Sequence, residues 1–343
     1  MIDQMTPAER MGAFLAGKDI DRPPCVPLIL NHAARVIGEK ISRYATDGAV
    51  MGAAHVAAYR RYGHDLITIF TDTSIIGEAM GTTLEFPDDD VSRVRVPAVV
   101  DQQDLDRLEE IDCRRAGRLP VLLEAVRRCV NEVGGEVFVS VCIPAPFSTA
   151  AALRTTAALA RDLYRQRDLA HGLIDRASAL TEDFATAVHE AGGIPALVDP
   201  VASGSVLSRK TFEEFALGGI RRVIERIRTL GAPGILHICG RTSTIIDLMA
   251  DSGAAVISVD QIPLKEAREK VGWRACLMGN VRPTETLLEG TPDAVRAEAL
   301  ACLEDAADNP GGFILSSGCE VPIETPPENI DALMDSARQW GLR

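Results

Sequence analysis

Eight short apolar runs, separated by longer stretches with helical spacing, constrain the fold of this chain more than any other feature. Each run has the length of a β-strand, and its hydrophobicity is nearly continuous instead of alternating. Continuous hydrophobicity indicates that both faces of a strand are covered, as in a parallel sheet wrapped by helices. The predicted strands span residues 25–30, 65–70, 136–143, 194–199, 234–239, 254–260, 275–281 and 312–318.

Helical patterns fill the gaps between these runs, so strands and helices alternate along the chain. This alternation predicts a closed (β/α)8 TIM barrel, and a length of 343 residues fits one barrel with insertions. An open doubly wound sheet is the alternative, but no glycine-rich phosphate loop follows the first strand. We expect one domain, 1–343, with an N-terminal helix at about 5–17 and an insertion near 81–105. The predicted helices span 48–62, 103–132, 151–191, 209–230, 243–251, 264–271, 292–308 and 327–339.

Charge and composition restrict the classes of function. The formal net charge is -13, and no cluster of lysine and arginine supplies the phosphate-neutralising surface that nucleic-acid binding requires. An acidic surface also disfavours anionic membranes, and no segment has 18 uninterrupted apolar residues or the pattern of a signal peptide. We expect a cytoplasmic protein. In a reducing cytosol its eight cysteines would be thiols, since they are too sparse for a disulfide framework.

Polar residues follow most of the predicted strands, where a barrel of this kind gathers its chemistry. His237 and Cys239 in "ILHICG" are two positions apart, so a strand would point both side chains to the same face. Cys319 ends the eighth strand, across the mouth of the barrel. Three ligands of mixed nitrogen and sulfur type suit zinc, and an open fourth position characterises a catalytic site. We predict that His237, Cys239 and Cys319 hold zinc and activate a thiol.

Four other strand-end residues are candidate substrate contacts. They are Asn31 and His32 after the first strand, Asp72 after the second and Asp199 after the fourth. Either aspartate could instead cap a following helix, a role worth about 1 kcal/mol. His32 could equally be an ordinary loop residue.

Seven stretches of the chain together resemble the uroporphyrinogen decarboxylase superfamily, whose members share one (β/α)8 barrel. The resemblance covers nearly the whole sequence in order. Its two main branches are the decarboxylases and the zinc-dependent methyltransferases that act with corrinoid proteins, such as the methylcobamide:coenzyme M methyltransferases. The stretches are "TPAERMGAFLAGKDIDRPPCVPL", "FTDTSIIGEAMG", "PAPFST", "DPVASGSVLSRKTFEEF", "LHICGRT", "MGNVRPTETLLEGTPDAV" and "GFILSSGCEVPIETPPENI".

The decarboxylase pattern is only partly present. Asp72 matches the aspartate that binds pyrrole nitrogens in decarboxylases, and Arg35 is kept. However, Asn31 replaces an arginine of the Arg-Gln-Ala-Gly-Arg motif, and the expected tyrosine falls near Ala152. The histidine after the last strand is replaced by Cys319. A substrate with many carboxylates would therefore meet few cations.

The methyltransferase branch has His-x-Cys at the fifth strand and a distant cysteine after the eighth, which match His237, Cys239 and Cys319. The resemblance implies methyl transfer between a corrinoid and a thiol or other small molecule. No Asp-x-His-x-x-Gly cobalamin motif is present, so a partner protein would carry the corrinoid over the barrel mouth. The alternatives are a divergent decarboxylase and a non-catalytic binder of a tetrapyrrole or corrinoid protein. A homodimer is possible because decarboxylase relatives often form one.

Overall fold

A computed structural model describes residues 3–342, and its centre is a curled parallel sheet of seven strands. The order across this sheet is β1-β4-β5-β6-β7-β8-β9, and every neighbouring pair is parallel. Two further strands, β2 and β3, form a separate antiparallel hairpin. The strands are β1 (Leu66–Ile69), β2 (Thr83–Glu85), β3 (Arg93–Val96), β4 (Phe138–Pro144), β5 (Ile194–Val198), β6 (Ile235–Ile238), β7 (Val256–Val259), β8 (Cys276–Val281) and β9 (Phe313–Ser317).

Helices connect the strands, as the alternating sequence pattern predicts, but several predicted helices are divided. The predicted helix over 103–132 is two helices separated by a loop, and that over 151–191 becomes parts of three. The α-helices are α1 (Pro7–Leu15), α2 (His32–Val36), α3 (Ile41–Thr46), α4 (Gly48–Tyr62), α5 (Ile75–Ala79), α6 (Gln102–Asp106), α7 (Leu119–Val133), α8 (Pro146–Arg154), α9 (Thr156–Arg165), α10 (Arg167–Glu190), α11 (Arg209–Thr211), α12 (Leu217–Thr229), α13 (Ile246–Asp251), α14 (Leu264–Val271), α15 (Pro292–Ala306) and α16 (Pro327–Trp340).

The prediction of a regular first strand over 25–30 is wrong, although this segment does close the barrel. Val26 N donates to Leu315 O at 2.8 Å, and Leu315 N donates to Pro24 O at 2.9 Å. On the other side Asp65 N donates to Cys25 O at 3.0 Å. Pro24 and Pro27 have no backbone N–H, so a continuous ladder cannot form here. The (β/α)8 barrel is confirmed, with an irregular segment in place of one strand.

Two apolar cores hold the barrel together. The larger lies between the sheet and the surrounding helices, and the smaller fills the barrel interior. Alternate side chains of each strand reach the interior, as the twofold periodicity of a strand requires. Met11 of α1 belongs to the interior core, and Phe14 packs against it. Helix α1 thus covers the amino-terminal end of the barrel, which leaves the carboxyl ends of the strands open for a site.

The predicted insertion near 81–105 contains the β2–β3 hairpin and the start of α6. Hydrogen bonds join it to the body of the protein: Ser42 N donates to Asp88 O at 3.2 Å, and Val99 N donates to Leu153 O at 3.0 Å. Across residues 3–342, no helix combines the length and apolarity needed to span a bilayer.

Candidate metal centre

His237, Cys239 and Cys319 meet at the carboxyl end of the barrel. His237 lies in β6, Cys239 directly follows it, and Cys319 lies two residues beyond β9. Their ligand-capable atoms all lie within 4.8 Å of one another, although β7 and β8 separate β6 from β9 in the sheet. The structure therefore brings together the three residues that the sequence predicts as metal ligands.

Ser258 orients the imidazole of His237. The two residues are register partners on β6 and β7, and His237 Nδ1 lies 3.0 Å from Ser258 Oγ. A proton on Nδ1 that is donated to Ser258 leaves the lone pair on Nε2. This Nε2 atom is buried and has no hydrogen-bond partner. A buried, unpartnered ring nitrogen beside two thiols fits a metal ligand, since orphaned polar atoms in a protein interior are costly.

The loop after Cys239 is fixed by hydrogen bonds to its backbone. Ser203 Oγ donates to Cys239 O at 2.7 Å, and Gly240 N donates to Asp260 Oδ2 at 2.8 Å. Gly240 has a φ of 71°, and a Cβ atom at this position would lie 2.8 Å from Ser203 Oγ and Ser205 Oγ. Only glycine fits this turn without displacing Ser203, which bonds to Cys239 O, and Ser205, which accepts from Arg241 N.

The two thiols differ in acidity because they contact each other. A hydrogen bond from the Cys319 thiol lowers the pKa of Cys239, against the opposing effect of burial. The same contact, together with burial, raises the pKa of Cys319. A bound cation would favour thiolates at both positions, because a coordinating thiol is deprotonated.

This donor set fits zinc. One imidazole nitrogen and two sulfurs suit a borderline-soft metal, and no carboxylate among residues 3–342 joins the group. Three protein ligands leave the fourth position of a tetrahedral site free for a small molecule.

A cavity of about 210 Å³ opens beside the three residues and extends into the barrel interior. Its wall is mainly apolar, and hydroxyl groups interrupt it at four positions. The residues that line it are Leu28, Leu30, Leu66, Thr68, Phe70, Thr73, Ser140, Cys142, Ala196, Val198, Pro200, Ile235, His237, Cys239, Ser258, Met278, Cys319 and Glu320.

Glu320 is a site residue that the sequence reasoning missed. It directly follows Cys319 and lines the cavity, where Asn31 donates to Glu320 Oε1 from both its backbone N, at 3.0 Å, and its Nδ2, at 2.9 Å. Burial raises the pKa of Glu320 to about 7, and the hydrogen bonds from Asn31 oppose this shift. The acidic residue directly after the cysteine in "GCEVP" was the available signal.

The structure places the four predicted substrate contacts differently. Asn31 is buried beside the cavity through its contact with Glu320. His32 lies outside the cavity, with Nδ1 at 2.8 Å from Ile323 O and Nε2 at 3.0 Å from Tyr62 OH. Both of its ring nitrogens are thus occupied within the protein.

The two aspartates are also engaged by protein groups. Asp72 Oδ2 accepts a hydrogen bond from Arg118 Nη2 at 2.8 Å, and its Oδ1 accepts from Ser74 N at 2.9 Å. Asp199 Oδ1 accepts from the backbone N of Ser148, in the first turn of α8, at 3.0 Å. Burial raises the pKa of Asp199 to about 7, although the bonds from Ser148 oppose the shift. Neither carboxylate is among the residues that line the cavity.

A larger groove, of about 440 Å³, lies on the outside of the barrel beside α10. It contains none of the residues of the metal centre, and its wall combines four carboxylates with one arginine. The lining residues are Met80, Glu109, Glu110, Ile111, Asp112, Arg176, Ala179, Leu180 and Asp183.

Comparison with known proteins agrees with this architecture. The chain is 28% identical to the methylated-thiol–coenzyme M methyltransferase of Methanosarcina mazei, over 99% of this chain and 91% of that protein. It is 27% identical to the methylcobamide:CoM methyltransferase MtaA of Methanosarcina barkeri, over 99% of both proteins. A solved methyltransferase structure from Methanosarcina mazei superposes with a TM-score of 0.89 at 27% identity, covering 98% of this chain and 99% of that one. Residues 6–340 match the model of the uroporphyrinogen decarboxylase (URO-D) family, and the chain belongs to that family.

Proposed function

We propose that this protein is a zinc-dependent methyltransferase that moves a methyl group between a corrinoid, carried by a partner protein, and a small-molecule thiol. The observation that carries the proposal is the convergence of a ring nitrogen of His237 and the sulfurs of Cys239 and Cys319 within 4.8 Å at the mouth of a small cavity. The relatives named above support it, because their names describe methyl transfer involving methylcobamide, methylated thiols and coenzyme M.

Zinc bound by these three residues would act as a Lewis acid that lowers the pKa of a substrate thiol at the free fourth position. The protein supplies the surroundings for this chemistry. Ser258 Oγ lies 3.0 Å from Nδ1 of His237, and this contact keeps Nε2 of the same ring directed at the other two ligands. The apolar wall keeps water from the substrate sulfur, which strengthens electrostatic interactions there.

The methyl group moves by displacement at carbon. A methylated corrinoid would supply an electrophilic methyl group: the substrate sulfur would form the bond to the methyl carbon as the carbon–cobalt bond breaks, and the electron pair of that bond would stay with the corrinoid. The thiol would release its proton to solvent when its sulfur binds the metal, before the transfer. Alignment of sulfur, carbon and cobalt then sets the rate, so the fixed position of the sulfur at the barrel mouth matters most.

The size of the cavity supports a separate corrinoid carrier. At about 210 Å³ it is smaller than the roughly 300–1,000 Å³ typical of sites for drug-sized ligands, and a corrinoid ring is larger than such ligands. The cavity suits the thiol, while the corrinoid would approach from above the carboxyl ends of the strands. A partner protein docking on this face would present it.

The same cavity argues against the two alternatives. A decarboxylase acting on uroporphyrinogen has to bind many carboxylates. Apart from His237 and the cysteines, the ionisable residue in the described wall of this cavity is an acid, Glu320. A non-catalytic binder would not require three metal-capable atoms to converge with an unpartnered imidazole nitrogen.

The test measures zinc content and methyl transfer together. Wild-type protein should contain about one zinc per chain, and it should demethylate free methylcobalamin in the presence of a thiol, followed by the change in corrinoid absorbance. Cys239→Ala and Cys319→Ala should lose both properties. Cys113→Ala, at a buried cysteine outside the group, is the matched control and should keep both. Full methyl transfer by metal-free Cys319→Ala protein would overturn the proposal.

A further inference from the structure

The wall of the cavity beside the metal centre contains no lysine or arginine. Among the described residues that form it, the ionisable groups other than the three metal-capable side chains are Cys142 and Glu320. Burial raises the pKa of the Cys142 thiol to about 12, so it stays neutral. Glu320 supplies no positive charge in either of its protonation states. The cavity therefore offers an anionic ligand no partner beyond a metal.

Arginines at this end of the barrel form ion pairs with carboxylates or lie outside the cavity, and Arg282, directly after β8, pairs with Glu298. Arg118 binds Asp72 and also Glu78, at 2.7 Å between its Nε and Glu78 Oε2. Arg35 forms an ion pair with Glu324 on the surface. Arg241, two residues after Cys239, is exposed and does not line the cavity.

The polar groups that the cavity does offer are neutral hydroxyls. Ser258 Oγ is occupied by His237 Nδ1, and Ser140 Oγ donates to Ile194 O at 2.9 Å. Thr68 Oγ1 is buried and has no partner. Thr73 carries the fourth hydroxyl but is only partly buried, so Thr68 supplies the fully buried, uncharged hydrogen-bonding group that is open to a ligand within this mainly apolar wall.

These observations determine which thiol the site accepts. A sulfonate or carboxylate held in this cavity would lose its hydration without gaining a counter-ion, which strongly disfavours binding. An uncharged alkyl or hydroxyalkyl body would instead bury apolar surface against the wall. Specificity of this kind arises because a buried charge without a partner weakens ligand binding more than a small change in ligand shape does.

We infer that the substrate of this protein is a small uncharged thiol, in contrast to the anionic thiol coenzyme M that appears in the names of its relatives. The inference rests on the proposed function, since it names the molecule that would occupy the fourth position of the metal centre. Its body lies in the apolar cavity, and a hydroxyl, where the substrate has one, reaches Thr68.

The test compares four thiols that share the unit HS–CH2–CH2–X and differ in X. They are 1-propanethiol and 2-mercaptoethanol, which are uncharged, 2-mercaptoethanesulfonate, which is anionic, and 2-aminoethanethiol, which is cationic. Protein loaded with Co²⁺ in place of zinc is titrated with each thiol, and the sulfur-to-cobalt absorption band reports direct binding independently of methyl transfer. Cys319→Ser protein serves as the blank for binding outside the site.

We expect both uncharged thiols to bind at least tenfold more tightly than 2-mercaptoethanesulfonate and more tightly than 2-aminoethanethiol. Replacing Arg241 with Gln should leave the affinity for the sulfonate unchanged. Sulfonate binding that equals that of the uncharged thiols, and that falls in Arg241→Gln, would overturn the inference by assigning Arg241 as the anion partner. Preferred binding of 2-aminoethanethiol would overturn it in favour of a cationic substrate beside Glu320.

The outcomes also separate this inference from the function on which it rests. If the protein binds the metal and the sulfonate preferentially, the methyltransferase proposal stands and only the substrate class is wrong. If the metal does not bind, or no thiol perturbs the cobalt spectrum, the proposed function itself fails. Thr68→Val, which removes the free hydroxyl but keeps the shape, should weaken 2-mercaptoethanol several-fold and leave 1-propanethiol unaffected.

Discussion

At the scale of single residues, the hydroxyl of Ser258 determines which nitrogen of His237 is available. Its oxygen lies 3.0 Å from Nδ1, and a proton on Nδ1 that is donated to Ser258 leaves the lone pair of the buried Nε2 beside the two thiols. Groups that orient a metal-bound histidine in this way typically contribute 10- to 100-fold to metal affinity.

Ser258→Ala should therefore lower zinc affinity by about 10- to 100-fold without removing a ligand. Competition with a chromophoric chelator measures the affinity. The matched control is Ser178→Ala in α10, where a buried serine donates to Ile174 O at 2.7 Å, far from the three ligand residues in the chain. Equal zinc affinity in Ser258→Ala and wild-type protein would contradict the orienting role.

At the scale of elements, helix α1 closes one end of the barrel. Its start is fixed by a capping box in which Thr6 accepts a hydrogen bond from Glu9 N and the Glu9 carboxylate accepts from Thr6 N. The helix directs Met11 and Phe14 into the interior core. It also limits the depth of the cavity, because these side chains fill the end opposite the metal centre.

Met11→Ala should destabilise the protein by about 2–5 kcal/mol, since it removes a buried side chain and leaves a void at the base of the barrel. Urea unfolding followed by circular dichroism measures this change. Leu15→Ala, on the same helix but 49% exposed, should change stability by less than about 1 kcal/mol. Similar effects of the two substitutions would show that α1 does not close the interior.

At the scale of the whole molecule, stability should depend on pH through two buried histidines. Burial lowers the pKa of His55 to about 3 and that of His64 to about 4. Tyr44 OH contacts His55 at 2.8 Å, whereas neither ring nitrogen of His64 has a partner. Both remain neutral in the folded protein at pH values where the unfolded chain binds protons.

The unfolded chain takes up these protons below about pH 6.5, so the contribution of these two histidines to the free energy of unfolding should fall as the pH decreases from 6.5 towards 4. The buried acids Asp199 and Glu320, whose pKa values are raised to about 7, contribute with the opposite sign, so the test compares variants at each pH. At pH 5 the loss is about 2 kcal/mol per histidine, because each pH unit below about 6.5 costs the folded protein roughly 1.4 kcal/mol for each such group. Urea unfolding at pH 7, 6 and 5 measures it. His64→Phe should remove about half of this dependence, while replacement of the half-exposed His171 with Gln should leave it intact. A difference in unfolding free energy between wild type and His64→Phe that is the same at pH 7 and pH 5 would refute the assignment.

The sequence by itself determined the alternation of strands and helices, the (β/α)8 class and the cluster of His237, Cys239 and Cys319. Each of these follows from local patterns: continuous apolar runs, helical spacing and the two-residue spacing that places neighbours on one face of a strand. The carboxyl ends of parallel strands meet at one end of a barrel, so residues far apart in sequence could be assigned to one mouth.

Only the tertiary structure decided how the barrel closes and what the cavity can bind. Closure depends on hydrogen bonds between Val26 and Leu315, which an apolar run containing Pro27 does not reveal. The pairing of Glu320 with Asn31, and the commitment of Arg118 to Asp72, join residues that are distant in the sequence. Charge in a cavity depends on which side chains packing leaves unpaired, and packing is non-local. The sequence therefore predicts the three metal-capable residues, whereas the structure shows which charged groups the cavity beside them contains.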